Sequence, residues 1–188
     1  MSDPTREEHQ VMAQETPCER SSVPELHRRM APTAVRCVVV TVSDTRTLET
    51  DRGGQLVVEL LQKAGHQVIE RAIVPDDIEQ IRAKVNAVLQ AGMAQVILLT
   101  GGTGLSARDQ TVEALRPLTT KEIPGFGELF RILSFQEIGP AAMLSRAFAG
   151  VMGKVAIFAL PGSPAAVQLA LEKLILPELG HLLGEISR

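Results

Sequence analysis

From Arg36 onward, short unbroken apolar runs alternate with stretches in which apolar residues recur every three or four positions. The first run, RCVVVTV (Arg36–Val42), is β-branched throughout its centre, the pattern of a strand covered on both faces. After a polar loop, Leu56, Val57, Leu60, Leu61 and Ala64 fall on one helical face, and Gly65 supplies the stop. HQVIERAIV (His66–Val74) reads as a second strand. Ile78, Ile81, Val85, Val88 and Leu89 then repeat at helical spacing up to Gly92, and AQVILLT (Ala94–Thr100) gives a third buried strand. Strand, helix, strand, helix, strand is the pattern of βαβ crossovers, which favour a parallel sheet with helices on both faces and place ligands at the carboxyl ends of the strands. Further on, Pro124–Gln136 is expected to be helical. SRAFAGVM and KVAIFAL are expected to be strands joined at Gly153-Lys154, a hairpin forming an antiparallel edge. Ser163-Pro164 opens a last helix, Ser163 as N-cap and Pro164 at the first helical position, with Ala166, Val167, Ala170, Leu171 and Leu174 inward.

The residues before this, 1–33, mix charge, serine and four prolines (Pro4, Pro17, Pro24, Pro32) without apolar periodicity, so an unstructured tail precedes one domain over 34–188. A 45% hydrophobic chain of 188 residues can bury one sizeable core. A net charge of -3 argues against nonspecific attraction to nucleic acid or an anionic membrane, so an anionic ligand must be held by a local pocket. Cys18 and Cys37 form no CxxC pair, which fits a reducing cytoplasm better than a disulfide framework or a four-cysteine zinc site. The polar opening residues lack the order of a secretory signal, and no apolar run reaches the roughly 20 residues of a membrane span. Five phenylalanines and no Trp or Tyr leave little to stack bases on.

Chemistry concentrates in the loops that follow strands. TGGTGLSARDQTVE (Thr100–Glu113) carries three glycines in four positions, Gly101, Gly102 and Gly104, whose amides can approach a phosphate closely. Thr103 and Ser106 add hydroxyls, Arg108 is suited to pair with phosphate, and Asp109 to hold a magnesium ion. The competing reading is a tight turn with Asp109 capping a helix. It is neither a Walker-type phosphate loop nor a GxGxxG turn. Asp76, with Asp77 beside it, follows the second strand; against a ligand role stands a capping box made with Glu79. Ser43 and Asp44 after the first strand, followed by Asp51, make a third acidic candidate, against which stands loop solvation or helix capping. If the sheet is parallel, Asp44, Asp76 and Asp109 all open on one edge. Pro161, Gly162 and Ser163 sit between a strand and a helix start, a position that can bind an anion or simply be a capped helix. Pro124-Gly125-Phe126-Gly127 is either a flexible lip or a helix entry with a buried Phe. Lys121, Arg131 and Arg146 are read as solvated surface charges, with contact to substrate as the alternative. His9, His27, His66 and His181 fall outside these motifs, so a histidine-zinc site or a catalytic triad finds no support.

Taken in order, VTVSD (Val40–Asp44), VPDD (Val74–Asp77), TGGTGLSARDQT (Thr100–Thr111), PGFGELFRILSFQEIG (Pro124–Gly139), LSRAFAG (Leu144–Gly150) and FALPGSPAAV (Phe158–Val167) resemble the MoaB/MogA family of molybdenum cofactor biosynthesis, the MoaB branch more than MogA. The resemblance spans about residues 36–185. It implies a three-layer αβα fold with a mostly parallel sheet, molybdopterin as ligand, and transfer of AMP from ATP to molybdopterin's terminal phosphate with Mg2+. It assigns phosphate binding to Gly101, Gly102, Thr103 and Gly104, catalytic and magnesium roles to Asp76 and Asp109, and pocket lining to Ser43, Asp44, Pro161, Gly162 and Ser163. A homo-oligomer, trimeric or hexameric, is also implied. The chain departs from the family's frequent Asp-x-Ser-Gly at Asp51-Arg52-Gly53-Gly54, and has Val112 where a proline often follows RDxT. The alternatives are a non-catalytic molybdopterin-binding or carrier protein of the same pathway, and an assembly protein that uses the fold as a scaffold.

Overall fold

The alternation of apolar runs and helical periodicity becomes alternating strands and helices in the computed structural model, which describes residues 34–188. The expected tail, with Cys18, His9 and His27, lies outside the described residues. In chain order the elements are β1 (Arg36–Val42), α1 (Arg52–Lys63), β2 (Gln67–Val74), α2 (Ile78–Ala91), β3 (Val96–Thr100), α3 (Thr111–Leu115), β4 (Lys121–Glu122), α4 (Pro124–Ile138), β5 (Phe148–Met152), β6 (Val155–Leu160), α5 (Pro164–Ala170) and α6 (Leu176–Ile186). One turn of 3-10 helix follows α3, a longer one (Gly139–Leu144) follows α4, and a π turn (Leu171–Ile175) joins α5 to α6.

The strands form a six-stranded sheet in the order β2-β1-β3-β6-β5-β4. β1, β2, β3 and β6 run parallel, while β5 is antiparallel to both its neighbours. The β5–β6 hairpin forms as expected, but it is not the edge. The two-residue β4 covers β5 and is itself the edge strand, and its exposed Lys121 and Glu122 carry no apolar signal from which a strand could be read. A charged edge this short offers little to pair with another sheet.

Side chains of each strand alternate between two apolar layers. On one face Val39, Leu98, Phe158 and Leu160 pack beneath α1, α4, α5 and α6; on the other Val40, Leu99 and Ile157 pack beneath α2 and α3. The result is the αβα sandwich. In α1, Val57 and Leu61 are fully buried, worth about 1.5–3 kcal/mol each. Phe126 is buried at the start of α4, with its ring 5.3 Å from Phe158 and 6.3 Å from Phe130, so Pro124-Gly125-Phe126-Gly127 is a helix entry and not a lip.

Register brings the loops together. Thr41 lies opposite Thr100, and Thr100 opposite Leu160, so the chain leaves β1, β3 and β6 at the same level. From β1 it turns to the α1 side and from β3 to the α2–α3 side, which opens a crevice between the two loops where strand order reverses.

Candidate active site

The glycine-rich loop leaves β3 through two residues with positive φ, Gly101 at +101° and Gly102 at +62°. Gly101 passes directly over the Val42 carbonyl, and a side chain there would collide with it. The Gly101 amide donates to Leu160 O at 3.0 Å, while the Thr111 hydroxyl and amide donate back to Gly101 O at 2.9 Å and Gly102 O at 3.0 Å. The loop is therefore tied at its start, to β6, and at its end, to α3.

Beneath it sits Asp76. The capping-box alternative fails here: the cap of α2 is Asp77, whose carboxylate accepts from the Gln80 amide at 3.0 Å. Asp76 instead accepts from the Gln110 amide at 2.9 Å. Burial, the largest influence, acts with the nearby Asp109 and Asp44 charges to hold its carboxyl above the usual carboxylate range, against the opposing pull of the Gln110 N–H and Arg108. Asp109 does not cap α3 either, because the preceding Gln110 occupies that position. Its carboxylate accepts from the Ser106 amide at 2.8 Å and closes the Ser106–Asp109 turn.

Two arginines differ from expectation. Arg108 is ion-paired with Asp44, so its charge is already answered by a carboxylate; Asp44 also accepts from the Asp76 amide at 3.2 Å. Arg146, read as a solvated surface charge, is instead a clamp. Its guanidinium donates to Thr103 O at 3.4 Å and Asp109 O at 3.0 Å and pairs with Glu113, spanning the glycine loop. The LSRAFAG motif was the signal that could have placed it. Lys121 stays exposed on β4, and Arg131 lies along α4 beside Gly127.

Asp51 is the N-cap of α1, as one reading of the sequence held, and more. It is 4% exposed and accepts from the Gly54 amide at 2.9 Å, the Thr41 hydroxyl at 2.6 Å and Arg71 at 3.1 Å. Burial alone would raise its carboxyl; those three donors outweigh it and hold the group below its ordinary value.

Three cavities follow along the carboxyl edge. The one under the glycine loop, about 490 Å³, takes its polar wall from Gly101–Gly104, Asp109 and Pro161–Ser163 and its apolar wall from Phe130, Ile138, Ala142 and Leu144. Ser163 reaches it while capping α5 through the Ala166 amide at 3.3 Å. A second, about 380 Å³, includes Ser43, Arg46, Arg52, Gly53, Gly101 and Gly162. A third, about 560 Å³, holds Asp44, Asp76, Asp77 and Arg108. Ser106 lines none of the three; its hydroxyl accepts from the Arg108 amide at 3.3 Å. Sequence reasoning missed the apolar wall, Arg46 and Arg52.

Residues 38–181 match the family described as "Probable molybdopterin binding domain". The chain is 53% identical to molybdenum cofactor biosynthesis protein B of Halalkalibacterium halodurans over 165 residues, covering 87% of this chain and 97% of that one. The chain belongs to the MoaB/MogA family. A crystal structure of a molybdenum cofactor biosynthesis protein B superposes with a TM-score of 0.81 at 54% identity, covering 84% of this chain and 99% of the other. The tungsten cofactor synthesizing protein MoaB from Pyrococcus furiosus does so at 0.76 with 37% identity, covering 84% and 100%. Of the two departures from the MoaB/MogA pattern, Gly53 lies where a Cβ would stand 3.0 Å from the Gly162 carbonyl, and Val112 is buried in α3.

The MoaB/MogA resemblance implies magnesium, and the residues fit it in one way only. Among the described residues no group of three or more His, Cys, Asp or Glu side chains forms a ready metal cage. The carboxylates of Asp76 and Asp109 nevertheless both lie against the glycine loop, within 2.9 Å of where a Cβ would stand at Gly102 and at Gly104, which suits an ion held by one or two carboxylates and completed by phosphate oxygens and water.

Proposed function

We propose that this chain acts in molybdenum cofactor biosynthesis as a molybdopterin adenylyltransferase, moving AMP from ATP to the terminal phosphate of molybdopterin and releasing pyrophosphate. The observation that carries the reading is the convergence of Asp76, Asp109 and the positive-φ glycine turn at one edge of the sheet, beside a cavity with one polar and one apolar wall. The names of the relatives support the pathway.

The reaction suits these side chains. A phosphate monoester has its second pKa near ~6, so the attacking oxygen is already largely deprotonated at neutral pH and no histidine base is required. An oxygen of that phosphate attacks Pα of ATP, and the bond from Pα to the β-phosphate oxygen breaks with its electron pair leaving on pyrophosphate. What the protein contributes is position and charge. The Gly101–Gly104 amides orient a phosphate. Phe130, Ile138 and Leu144 offer an apolar wall against which the pterin excludes water. Asp76 and Asp109 would hold magnesium, which when bound neutralises phosphate oxygens.

A cytoplasmic location is part of this reading; no helix among the described residues is long and apolar enough to cross a membrane. Assembly of copies into a trimer or hexamer belongs to the same reading. Leu129, Ile132 and Phe135 on α4, with Met143 after it, are each more than half exposed, and apolar patches of this kind mark interfaces. Light scattering should give three or six chain masses; a monomer contradicts it.

The test compares Asp76→Asn and Asp109→Asn with the wild type for formation of adenylylated molybdopterin, alongside molybdopterin binding. Turnover lost with binding kept is expected. Turnover retained in both variants sinks the acidic-site assignment, and binding without turnover in the wild type replaces the enzyme with a carrier.

A further inference from the structure

Among the described residues, the 380 Å³ cavity is the one of the three edge cavities whose arginines are paired with no carboxylate. Its lining includes one carboxylate, Asp51, and that group is consumed by Thr41, Gly54 and Arg71. Arg46 gives only a 3.3 Å hydrogen bond to the Thr50 carbonyl, and the Arg52 guanidinium has no partner among the described residues. Between the arginines and the sheet, the lining passes through Gly53, Gly101 and Gly162, which leave the backbone open to a ligand.

We propose that this cavity is the subsite for the β- and γ-phosphates of ATP, and so for the departing pyrophosphate, with Arg46 and Arg52 as its cationic groups. The proposal rests on the adenylyl-transfer reading and adds the charge that reading lacks, since Arg108 is occupied by Asp44. The other two cavities suit a polyphosphate poorly. The third carries Asp44, Asp76 and Asp77 with a single, paired arginine, so it would take a phosphate only through a bound magnesium ion and offers no free cationic side chain of its own, and the lining of the 490 Å³ cavity includes no arginine or lysine. Gly101 and Gly162 line both the arginine cavity and the apolar-walled one. An α-phosphate at that shared rim is reached by the molybdopterin phosphate from one side and loses pyrophosphate into the other. The electron pair of the broken bond then settles on an oxygen beside two guanidinium groups, where charge-assisted hydrogen bonds stabilise it.

Titration calorimetry of the full chain with inorganic pyrophosphate, with and without magnesium, tests this directly. The Arg46→Gln/Arg52→Gln variant should bind pyrophosphate roughly tenfold or more weakly, raise the KM for ATP by a similar factor and keep molybdopterin affinity within about twofold. The lysine pair Arg46→Lys/Arg52→Lys should recover much of the loss. Both side chains are exposed, and circular dichroism melting checks that the fold is kept; should the double variant unfold, Arg52→Gln alone carries the comparison. Unchanged pyrophosphate affinity overturns the subsite, as does a loss that falls on molybdopterin instead. Arginine-dependent pyrophosphate binding in a wild type that transfers no AMP upholds the subsite and removes the enzyme reading above it.

Discussion

Gly102→Ala concentrates the strain on which the site is built. At φ +62° an L-residue costs about 1 kcal/mol more than glycine. The added Cβ would also stand 2.7 and 2.9 Å from the two carboxylate oxygens of Asp76 and closer still to the Thr111 hydroxyl. Neither neighbour can swing away freely. Asp76 is fixed by the Gln110 amide at 2.9 Å and Thr111 by the Gly101 carbonyl at 2.9 Å. Relief requires at least one of these bonds to break, about 1 kcal/mol for the neutral one and up to about 3 for the charged one. The sum is about 2–4 kcal/mol, a large share of a typical domain's roughly 5–15. Urea denaturation measures the loss, and AMP transfer should fall with it because Asp76 moves. Gly125→Ala is the control: it lies in the first turn of α4 with nothing within 4 Å of its Cβ, and should be neutral or slightly stabilising. A Gly102→Ala protein with wild-type midpoint and wild-type turnover would refute the geometry.

Three other variants separate function from stability. Asp76→Asn should abolish AMP transfer without lowering the melting temperature at pH 7. The raised carboxyl of Asp76 means its ionised form disfavours the fold, a cost absent at low pH and present once pH exceeds the raised value, so the asparagine should match or exceed wild-type stability at neutral pH; a marked drop contradicts this. Asp51→Asn should destabilise by roughly 3 kcal/mol at pH 7, because Arg71 is left half-answered in a buried pair. Its lowered carboxyl contributes stability present above the unfolded value near ~3.9 and lost as pH falls through the folded one, so the gap between wild type and variant should close in acid denaturation series below about pH 4. Arg146→Ala should lower kcat by roughly tenfold or more, with a smaller change in KM and partial rescue by Arg146→Lys, since the residue orients Thr103 and Asp109; unchanged kcat would leave it a structural clamp only.

The crossovers were legible because β1, β3 and β6 are buried on both faces, so their apolar runs carry few polar residues, and because α1 and α2 each show one apolar stripe. The placement of β5 inside the sheet was not, since it depends on a two-residue partner with no pattern of its own. In the site, glycines and acids after strands could be read as neighbours once the sheet was parallel. The arginines could not. Whether a guanidinium meets phosphate, carboxylate or backbone is decided by residues far off in sequence: Arg108 by Asp44, 64 positions away, and Arg146 by Thr103 and Asp109, 43 and 37 away. Local caps compete for the same acids, and only the folded chain divides Asp77, which caps α2, from Asp76, which does not.

The most direct measurement incubates the purified wild-type chain with molybdopterin, magnesium and ATP labelled at the α-phosphate, and follows the label and pyrophosphate together. The account predicts label transferred to molybdopterin with one pyrophosphate released per transfer, and neither product when magnesium or molybdopterin is omitted. Molybdopterin bound but never labelled, under conditions where ATP stays intact, would contradict it.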